Sequence, residues 1–403
     1  MTAASCIVLK PSKKEKVKKK NFDFGKRLQD LREKNLERRL REFKPSVGMR
    51  ADLEGKEILN FSSNDYLGLS RDLSVIEKAI EATKEYGTSC SASRLISGNN
   101  PLFHALERSL ARWKGKEKAL IFPSGFMAAL ASIPSLVGTS DLVLMDSLCH
   151  ASLWEGARLS RATLRVFAHN EIEDLKKLLE RYALKYEKIL VVTESLFSMD
   201  GDMAPLRELV ELKERFEAYL LLDDAHGEGL LGEGGGGLAT ALGLAEKVDV
   251  ILGTFSKALG SQGGYIAASQ EVIEWMINTA KSFIFTTALS PSCMAAAASA
   301  LDIIRSERGD LLRRKLRENI CYFFEGIPTS TFYYSPIIPV KIGSEEKAVR
   351  VSADLEKKGI YLPPIRYPTV PKGEARLRIS LTALHDFDQI DYLKNALEKY
   401  LHC

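Results

Sequence analysis

A lysine set among small residues is the candidate reactive group of this sequence. Lys257 lies in TFSKALGSQGG (254–264), directly after an apolar run, residues 248–252, that predicts a strand buried on both faces. Glycines in such a segment let the backbone pass close to a bound molecule. A partly desolvated lysine amine has a lowered pKa and condenses with carbonyl compounds to form a Schiff base. A solvated loop lysine remains the alternative for this segment taken alone.

An acid and a histidine follow a second apolar run, in LLLDDAHG (220–227). Asp223, at the end of a buried strand, could pair with the pyridinium nitrogen of pyridoxal 5′-phosphate (PLP), a cofactor that binds a lysine as a Schiff base and acts as an electron sink. His226 would then lie near the phenolic oxygen of the cofactor. Taken alone, Asp-x-x-His is more often a helix N-cap followed by a surface histidine.

Three further predicted strand ends carry residues that would suit the same cofactor. In FPSGFM (122–127), Gly125 and Phe126 begin a predicted helix, and the N–H groups at a helix N-terminus suit a phosphate. His150 follows the next strand and could stack on a flat ring, while Glu194 and Ser198 follow a later one. A plain strand–helix turn or a structural histidine would give the same local patterns. The conjunction of five such strand ends predicts a PLP site.

A parallel sheet would bring these strand ends to one edge. Apolar strand patterns alternate with amphipathic helix patterns, such as residues 172–186 and 206–217, which predicts an α/β fold with a mostly parallel, seven-stranded sheet between helices. Ligands of such sheets bind outside the carboxyl ends of the strands. The predicted strands are residues 119–122, 142–145, 163–167, 189–193, 219–223, 248–252 and 265–268.

A chain of 403 residues is long enough for one large domain and a smaller one. We divide it into a basic disordered tail (1–23), an N-terminal helix and strand segment (24–60), a large PLP-binding domain (61–290) and a smaller C-terminal α+β domain (291–403). Leucines at 28, 31, 36 and 40 predict an amphipathic helix over residues 24–43. In the C-terminal domain, strands are predicted at 337–342 and 377–381 and a last helix at 387–401.

Composition argues against several classes of protein. A hydrophobic content of 45% and a charged content of 27% are ordinary for a soluble globular protein, and no apolar stretch would span a bilayer or serve as a leader. We therefore predict a cytoplasmic protein without a membrane partner. Six scattered cysteines without a Cys-x-x-Cys pair argue against a disulfide framework or a zinc ribbon, and we predict no metal site.

Positive charge is concentrated at the N-terminus. Residues 1–50 hold 16 Lys and Arg against 6 Asp and Glu, a net charge of +10, whereas the rest of the chain carries −6. The tract KPSKKEKVKKK (10–20) could contact phosphates of nucleic acid or of a membrane surface. A solvated tail is favoured, because no aromatic residue is interleaved and no binding fold follows. A nucleic-acid partner is therefore not expected.

The motifs, in their order, resemble those of the α-oxoamine synthases, which are fold-type I PLP enzymes. The resemblance runs from about residue 31 to the last helix and implies a PLP-dependent acyltransferase that is a homodimer with active sites at the subunit interface. Such an enzyme condenses an amino acid with an acyl thioester and releases carbon dioxide. The matching segments are FPSGFMAA (122–129), HASL (150–153), TESLFSMDGD (193–202), LLDDAHGEG (221–229), TFSKALGSQGG (254–264), TTALSP (286–291) and PTVPKGEARLRISLTALH (368–385).

The resemblance implies a role for each matching residue. Lys257 would bind PLP covalently, Asp223 would pair with the pyridine nitrogen and His226 would lie near O3′. The ring would stack on His150. Further contacts to the cofactor or its phosphate would come from Gly125, Phe126, Glu194, Ser198 and Thr254, and from Thr286 or Thr287 of the other subunit. Substrate would be bound by Arg378, which would hold the amino-acid carboxylate, and by Arg41, Asn64, Arg366 and Thr369.

Three segments, SSNDYLGL, SRLISG and RYPTVP, are most similar to the branch that condenses L-alanine with a pimeloyl thioester, on CoA or acyl carrier protein, in biotin biosynthesis. A sister enzyme that uses glycine with acetyl-CoA, or one with a longer acyl-CoA, is the nearest alternative. An aminotransferase or a PLP-dependent lyase is more distant. A nucleic-acid-binding or scaffold protein with a vestigial enzyme body is the alternative outside catalysis.

One segment departs from the pattern of the family. Where the family has Gly-x-Gly-Ser-Gly-Gly-Ser-Arg, this chain reads GTSCSASR (87–94), so that Ser89, Ser91 and Ala92 replace three glycines. Side chains at these positions restrict positive φ angles and add Cβ atoms beside the acyl site. We expect the PLP chemistry to be intact and the choice of acyl donor to be affected. Arg94 in this segment could contact an anion.

Overall fold

The computed structural model describes residues 22–327 and 335–401, so the basic tract at residues 10–20 lies outside the described residues. The helices are α1 Phe24–Glu33, α2 Leu73–Tyr86, α3 Pro101–Trp113, α4 Gly125–Leu136, α5 Ala151–Ser160, α6 Ile172–Tyr182, α7 Leu206–Arg215, α8 Leu238–Ala241, α9 Gln270–Thr279, α10 Lys281–Ile284, α11 Pro291–Ile304, α12 Glu307–Phe324, α13 Glu345–Lys357 and α14 Phe387–Leu401. The strands are β1 Phe43–Pro45, β2 Arg50–Leu53, β3 Lys56–Asn60, β4 Lys118–Phe122, β5 Leu142–Asp146, β6 Thr163–Phe167, β7 Ile189–Glu194, β8 Tyr219–Asp223, β9 Val250–Thr254, β10 Gly264–Ala268, β11 Ile337–Gly343, β12 Ile360–Tyr361, β13 Pro364–Ile365 and β14 Ala375–Ser380.

Helix α1 belongs to the first of two units into which the chain divides, with the division between Leu40 and Arg41. The prediction of one helix over residues 24–43 is wrong, because α1 ends at Glu33. Asn35 takes a left-handed conformation (φ 54°), and the N–H of Leu36 bonds back to the carbonyl of Leu31 (2.8 Å). This is a Schellman ending, which asparagine tolerates better than most residues. The leucine spacing continues beyond the point where the backbone turns.

The central sheet of the second unit has seven strands in the order β4-β10-β9-β8-β7-β5-β6. All neighbours are parallel except β10, which runs antiparallel to both β4 and β9. Each of the seven strands predicted from the sequence corresponds to one of these strands. The predicted α/β fold with a mostly parallel, seven-stranded sheet between helices is confirmed.

Both faces of the sheet are buried, as strand β7 illustrates. Leu190 and Val192 point into a core shared with α4 and α5, whereas Ile189 and Val191 point into a core shared with α6 and α7. Full burial of one such side chain contributes about 1.5–3 kcal/mol. A strand that is covered on both faces reads as a continuous apolar run, which explains why these strands were recognisable in the sequence.

Two smaller sheets complete the second unit. Strands β11, β14 and β13 form an antiparallel sheet, in which Arg378 of β14 lies opposite Pro339 of β11. Strands β1, β2 and β3 are antiparallel neighbours, and β3 pairs in parallel with β12. None of the described helices is long and apolar enough to cross a membrane. The domain boundaries at residues 60 and 290 remain predictions.

Candidate active site

A cavity of about 470 Å³ lies at the carboxyl edge of the central sheet. Its volume is in the range of small-molecule sites. Eleven of the predicted site residues, which are far apart in the sequence, line this one cavity. These are Asn64, Gly125, Phe126, His150, Glu194, Ser198, Asp223, His226, Thr254, Lys257 and Arg378.

Lys257 follows β9 by three residues, in a turn closed by a hydrogen bond from the Gly260 N–H to the Lys257 carbonyl (2.9 Å). Within residues 22–327 and 335–401, its amine has no hydrogen-bond or ion-pair partner. Burial lowers the pKa of the amine, and the nearby Asp223 carboxylate opposes that effect. The Lys257 amine therefore loses its proton more easily than a surface lysine would, as attack on a carbonyl carbon requires.

Asp223 ends β8 and is 7% exposed. Its Oδ1 accepts the N–H of Ala225 (3.0 Å), and no other hydrogen bond in the described part of the chain reaches the carboxylate. Burial raises the pKa of Asp223, and the positive charge of Lys257 opposes that effect. A buried carboxylate with acceptor capacity left is suited to a protonated ring nitrogen.

His150 caps the N-terminus of α5 through its ring. Its Nδ1 accepts the N–H of Ser152 (3.3 Å) and lies 2.8 Å from the Ser152 hydroxyl. Burial lowers the pKa of His150, so the ring is neutral near pH 7. A neutral imidazole that accepts at Nδ1 carries its proton on Nε2. His150 can therefore stack on a ring and still donate one hydrogen bond from Nε2.

Glu194, at the end of β7, accepts the backbone N–H of His150 with Oε1. Burial raises the pKa of Glu194 well above the usual range, and the neighbouring Asp223 raises it further. The contact of Glu194 fixes the turn that presents His150 to the cavity.

A chain of hydrogen bonds links the two ends of the cavity through Tyr66, which the sequence analysis did not assign. Arg378 Nη2 donates to the Tyr66 hydroxyl (3.3 Å), and this hydroxyl lies 2.7 Å from Nδ1 of His226. Burial lowers the pKa of His226 well below its usual value, so the ring is neutral. Of the two acceptors that the Tyr66 hydroxyl can reach, Nδ1 of His226 (2.7 Å) is nearer than Oδ1 of Asn64 (3.3 Å), and donation to Nδ1 leaves the proton of His226 on Nε2. The sequence did offer one signal for Tyr66, namely its position in SSNDYLGL, between a strand end and a turn.

Arg378 is buried (8% exposed) and points into the cavity from β14. Its guanidinium donates to the Ser198 carbonyl, to Asn64 Oδ1 (3.1 Å) and to the Ser380 hydroxyl (2.7 Å). No carboxylate lies within ion-pair distance of it among the described residues. Buried arginines are usually paired with an acid. The unpaired charge is suited to the carboxylate of a ligand.

The N-terminus of α4 also lines the cavity, through Ser124, Gly125 and Phe126. The Ser124 hydroxyl caps this helix by accepting the N–H of Met127 (3.2 Å). A Cβ on Gly125 would lie 3.2 Å from Oγ1 of Thr254, so the glycine keeps the first helical turn close to the end of β9. The first N–H groups of a helix, together with nearby hydroxyls, form a cradle for a phosphate.

Five predicted residues lie outside the lining of this cavity. Arg41 forms ion pairs with Glu54 (2.8 Å) and Glu356. Thr369 lines a second cavity of about 520 Å³, which shares His150, Ser198 and Met199 with the first. The remaining three are Arg366, Thr286 and Thr287.

Thr286 and Thr287 lie between α10 and α11 and are partly or fully exposed. The Thr286 hydroxyl bonds to the carbonyl of Thr287 (3.3 Å). Arg366 lies in the segment after β13, where its carbonyl accepts the N–H of Thr369 (3.0 Å). Roles for these residues in binding remain predictions.

The glycine-poor segment 87–94 is ordered by its own side chains. Ser91 adopts a left-handed conformation (φ 57°) despite its Cβ, and its N–H donates to the Ser89 hydroxyl (3.0 Å). Arg94 pairs with Glu107 and packs over the ring of Phe103 (4.1 Å to the ring centroid). The interpretation of Arg94 as an anion contact is therefore replaced by a structural role.

His169 and two aspartates support the segment that carries Ser198. His169 bonds through Nδ1 to Asp146 (2.9 Å) and through Nε2 to Asp202 (2.7 Å). Burial alone would lower the pKa of His169, but these two hydrogen-bonded carboxylates raise it to about 10. The charged ring thus holds the chain between Ser198 and Asp202 against β5.

We expect the stability of the fold to decrease as the pH rises toward 10. The folded pKa of His169 exceeds the unfolded value of about 6.5, so its contribution is complete below about pH 6.5 and is lost as the pH rises through about 10. Thermal unfolding at a series of pH values should show a weaker decrease in His169→Asn than in the wild type. The same decrease in both proteins would contradict the assignment. His104→Asn, at an exposed histidine of α3, is the matched control.

The comparisons with known proteins agree with this geometry. The model of the aminotransferase class I and II family matches residues 56–397. The 8-amino-7-oxononanoate synthase of Geobacter metallireducens is 44% identical over 366 residues, which are 90% of this chain and 93% of the relative. This chain belongs to the α-oxoamine synthases. It is a PLP-dependent acyltransferase, as the resemblance of its motifs implied.

Solved structures of the same family have the same fold. Serine palmitoyltransferase from S. paucimobilis, solved with PLP joined to myriocin, matches this synthase with a TM-score of 0.88 at 29% identity and covers 94% of this chain and 97% of its own. An 8-amino-7-oxononanoate synthase from Francisella tularensis has a TM-score of 0.72 at 28% identity and covers 85% and 97%.

The residues of the synthase fit PLP on the evidence of the cavity itself. Lys257 offers an amine without a partner among the described residues, Asp223 offers an unused acceptor, and the N-terminus of α4 lines the cavity together with the hydroxyl residues Thr254 and Ser256. The cavity also contains residues that the sequence analysis did not assign. Ser256 is adjacent to Lys257 and could have been predicted from the local sequence. Pro363 and Ile365 come from the C-terminal part of the chain, where no local pattern marks them.

Proposed function

We propose that this synthase is an 8-amino-7-oxononanoate synthase. It condenses L-alanine with a pimeloyl thioester and releases carbon dioxide and the free thiol, a step in biotin biosynthesis. The observation that carries the proposal is the unpaired guanidinium of Arg378 in the same cavity as the unpaired amine of Lys257. Arg378 can hold the carboxylate of an amino acid while Lys257 acts on its amino group and α-carbon. Relatives at 40–45% identity that are named 8-amino-7-oxononanoate synthases support the choice of substrates.

PLP, when bound, supplies an electron sink that stabilises negative charge at the α-carbon of the amino acid. Asp223 would keep the ring nitrogen protonated, and Nε2 of His226 would donate to an oxygen on the ring. Arg378 orients the carboxylate of the amino acid. The amine of Lys257, with a pKa lowered by burial, takes the proton from the α-carbon and later returns a proton there.

His150 and the second cavity are the features that would bind the acyl donor. Nε2 of His150 can donate to the thioester oxygen while charge develops on it, which is the electrostatic help that acyl transfer needs. The second cavity adjoins the first at His150, Ser198 and Met199, and Trp154 and Tyr367 also line it. We infer that the acyl chain and its carrier approach from this side. CoA and acyl carrier protein are both compatible with it.

We also propose a homodimer with active sites at its interface. Ile96 (82% exposed) and Phe285 (81% exposed) are large apolar side chains on two adjoining segments, Arg94–Gly98 and the end of α10. Apolar side chains clustered at the surface favour a contact with another chain. A second copy that covers them would bring Thr286 or Thr287 toward the cofactor of its neighbour. A cytoplasmic location is part of the proposal, and the four unpaired cysteines of the described residues support it.

Thiol release tests the substrates. The purified holoenzyme is offered L-alanine, glycine or L-serine together with pimeloyl-CoA, acetyl-CoA or palmitoyl-CoA. We expect release with L-alanine and pimeloyl-CoA to exceed every other pair by at least about 100-fold in kcat/KM, because a misfitting side chain or acyl chain costs a few kcal/mol. Preference for L-serine and palmitoyl-CoA would leave the fold and the chemistry in place but overturn the proposed pathway.

A further inference from the structure

Behind the Lys257 turn lies a buried charge cluster, formed by Lys114, Asp224, Glu228 and Tyr265, none of which lines the cofactor cavity. Lys114 Nζ donates to Asp224 Oδ2 (2.7 Å) and lies 3.5 Å from Oε2 of Glu228. The Tyr265 hydroxyl donates to the same oxygen of Glu228. All four side chains are buried. Buried ion pairs contribute little to stability compared with well-packed apolar residues, so Glu228 calls for another explanation.

Glu228 contacts the strand that leads to Lys257. Its Oε1 accepts the N–H of Thr254, the last residue of β9, at 2.7 Å. A Cβ on Gly253 would lie 2.4 Å from Oε2 of Glu228 and 2.4 Å from the Tyr265 ring. A glycine thus leaves the space that the carboxylate occupies. Glu228, on the turn after β8, therefore fixes the end of β9. This strand ends three residues before the reactive lysine.

Thr254 passes this constraint on to the turn. Its hydroxyl donates to the carbonyl of Gly263 (2.9 Å) and lies 2.9 Å from the hydroxyl of Ser256. The N–H of Phe255 bonds to the same Gly263 carbonyl (3.0 Å). The backbone on both sides of Lys257 is therefore tied to the residue that Glu228 holds.

Glu228 also acts on Lys257 through its charge. Burial raises the pKa of Glu228 to about 7, and the positive charge of Lys114 opposes that effect. When ionised, Glu228 is one of the carboxylates that raise the pKa of the Lys257 amine against the effect of burial. The charged and titratable groups that face Glu228 are Lys114, Asp224 and Tyr265, and those that act on Lys257 are Asp223, Glu194, Glu228 and Arg378.

We propose that Glu228 is a positioning residue for the PLP-binding lysine: its carboxylate anchors the N–H of Thr254, and its negative charge stabilises positive charge on the nitrogen of Lys257. The inference holds for any amino acid and any thioester. It therefore does not depend on the substrates proposed above.

Glu228→Gln tests the inference, because glutamine keeps the size of the side chain and an oxygen for the Thr254 N–H but removes the charge. The visible absorption of the PLP-loaded enzyme without substrate, followed against pH, reports the proton on the Lys257 nitrogen. We expect the midpoint of this titration to fall by about 1 pH unit, a tenfold loss of proton affinity. Glu274→Gln, at a surface glutamate paired with Lys118, is the matched control and should leave the midpoint in place.

Tyr265→Phe gives a second, milder variant. It removes one hydrogen bond to the Glu228 carboxylate, which then binds its own proton more readily, so a smaller shift in the same direction is expected. An unchanged midpoint in Glu228→Gln that still binds PLP would overturn the proposal. If Glu228→Gln does not fold, an unchanged midpoint in Tyr265→Phe overturns it instead. Both results are independent of turnover and leave the substrate assignment untouched.

Discussion

Replacing Lys257 by alanine is expected to reduce turnover by at least about 10,000-fold, because the same amine binds the cofactor and moves the α-proton. The fold should be preserved, since the amine has no hydrogen-bond partner in the described part of the chain that could be lost. Thiol release under saturating substrates measures the loss, and thermal unfolding confirms the fold. We also expect Lys257→Ala to release PLP on dialysis, whereas the wild type keeps it.

Lys118→Ala is the matched control for this experiment. Lys118 begins β4 and pairs with Glu274 at the surface, so its removal should leave turnover within about twofold of the wild type. Turnover by Lys257→Ala within an order of magnitude of the wild type would contradict the assignment of the reactive lysine.

Arg378→Lys is expected to lower kcat/KM for the amino acid by roughly 30- to 5,000-fold. The lysine keeps a positive charge but cannot reproduce the rigid, planar set of donors that the guanidinium places in the cavity, and loss of a buried charge contact costs about 2–5 kcal/mol. The KM for the amino acid should rise far more than the KM for the thioester. The comparison of the two KM values within one variant serves as an internal control for general damage to the site.

Two results would contradict this role of Arg378. An equal rise in both KM values would indicate that the substitution disturbs the whole cavity, for example through the contacts with Ser198 and Asn64. A normal KM for the amino acid would show that its carboxylate is bound elsewhere. Arg366, which the resemblance implied as a substrate contact, would then be the next candidate to test.

Features carried by a strand and its end were predictable from the sequence. Asp223 and Lys257 each follow an apolar run, and strands buried on both faces leave a clear apolar pattern. Their convergence followed from the rule that parallel strands end at one edge of the sheet. The strand register and the antiparallel direction of β10 depend on pairing between distant segments, which no local pattern specifies.

Features that depend on one residue or on distant packing were not predictable. The predicted helix over residues 24–43 is too long because Asn35 turns the backbone, although the leucine spacing continues. Tyr66 and Glu228 were visible in quoted motifs, but their partners come from β14 and β9. Arg94 has the charge for contact with a bound anion, but only the fold shows that its guanidinium is already paired with Glu107.

Decarboxylative condensation by this synthase fixes the ratio of carbon dioxide to free thiol. The holoenzyme is incubated with pimeloyl-CoA and L-alanine labelled at its carboxyl carbon, and both products are followed over time. We expect one labelled carbon dioxide for each thiol released, together with a keto amine that has lost the label. Thiol release without labelled carbon dioxide would contradict decarboxylative condensation, and so would labelled carbon dioxide in the absence of the thioester.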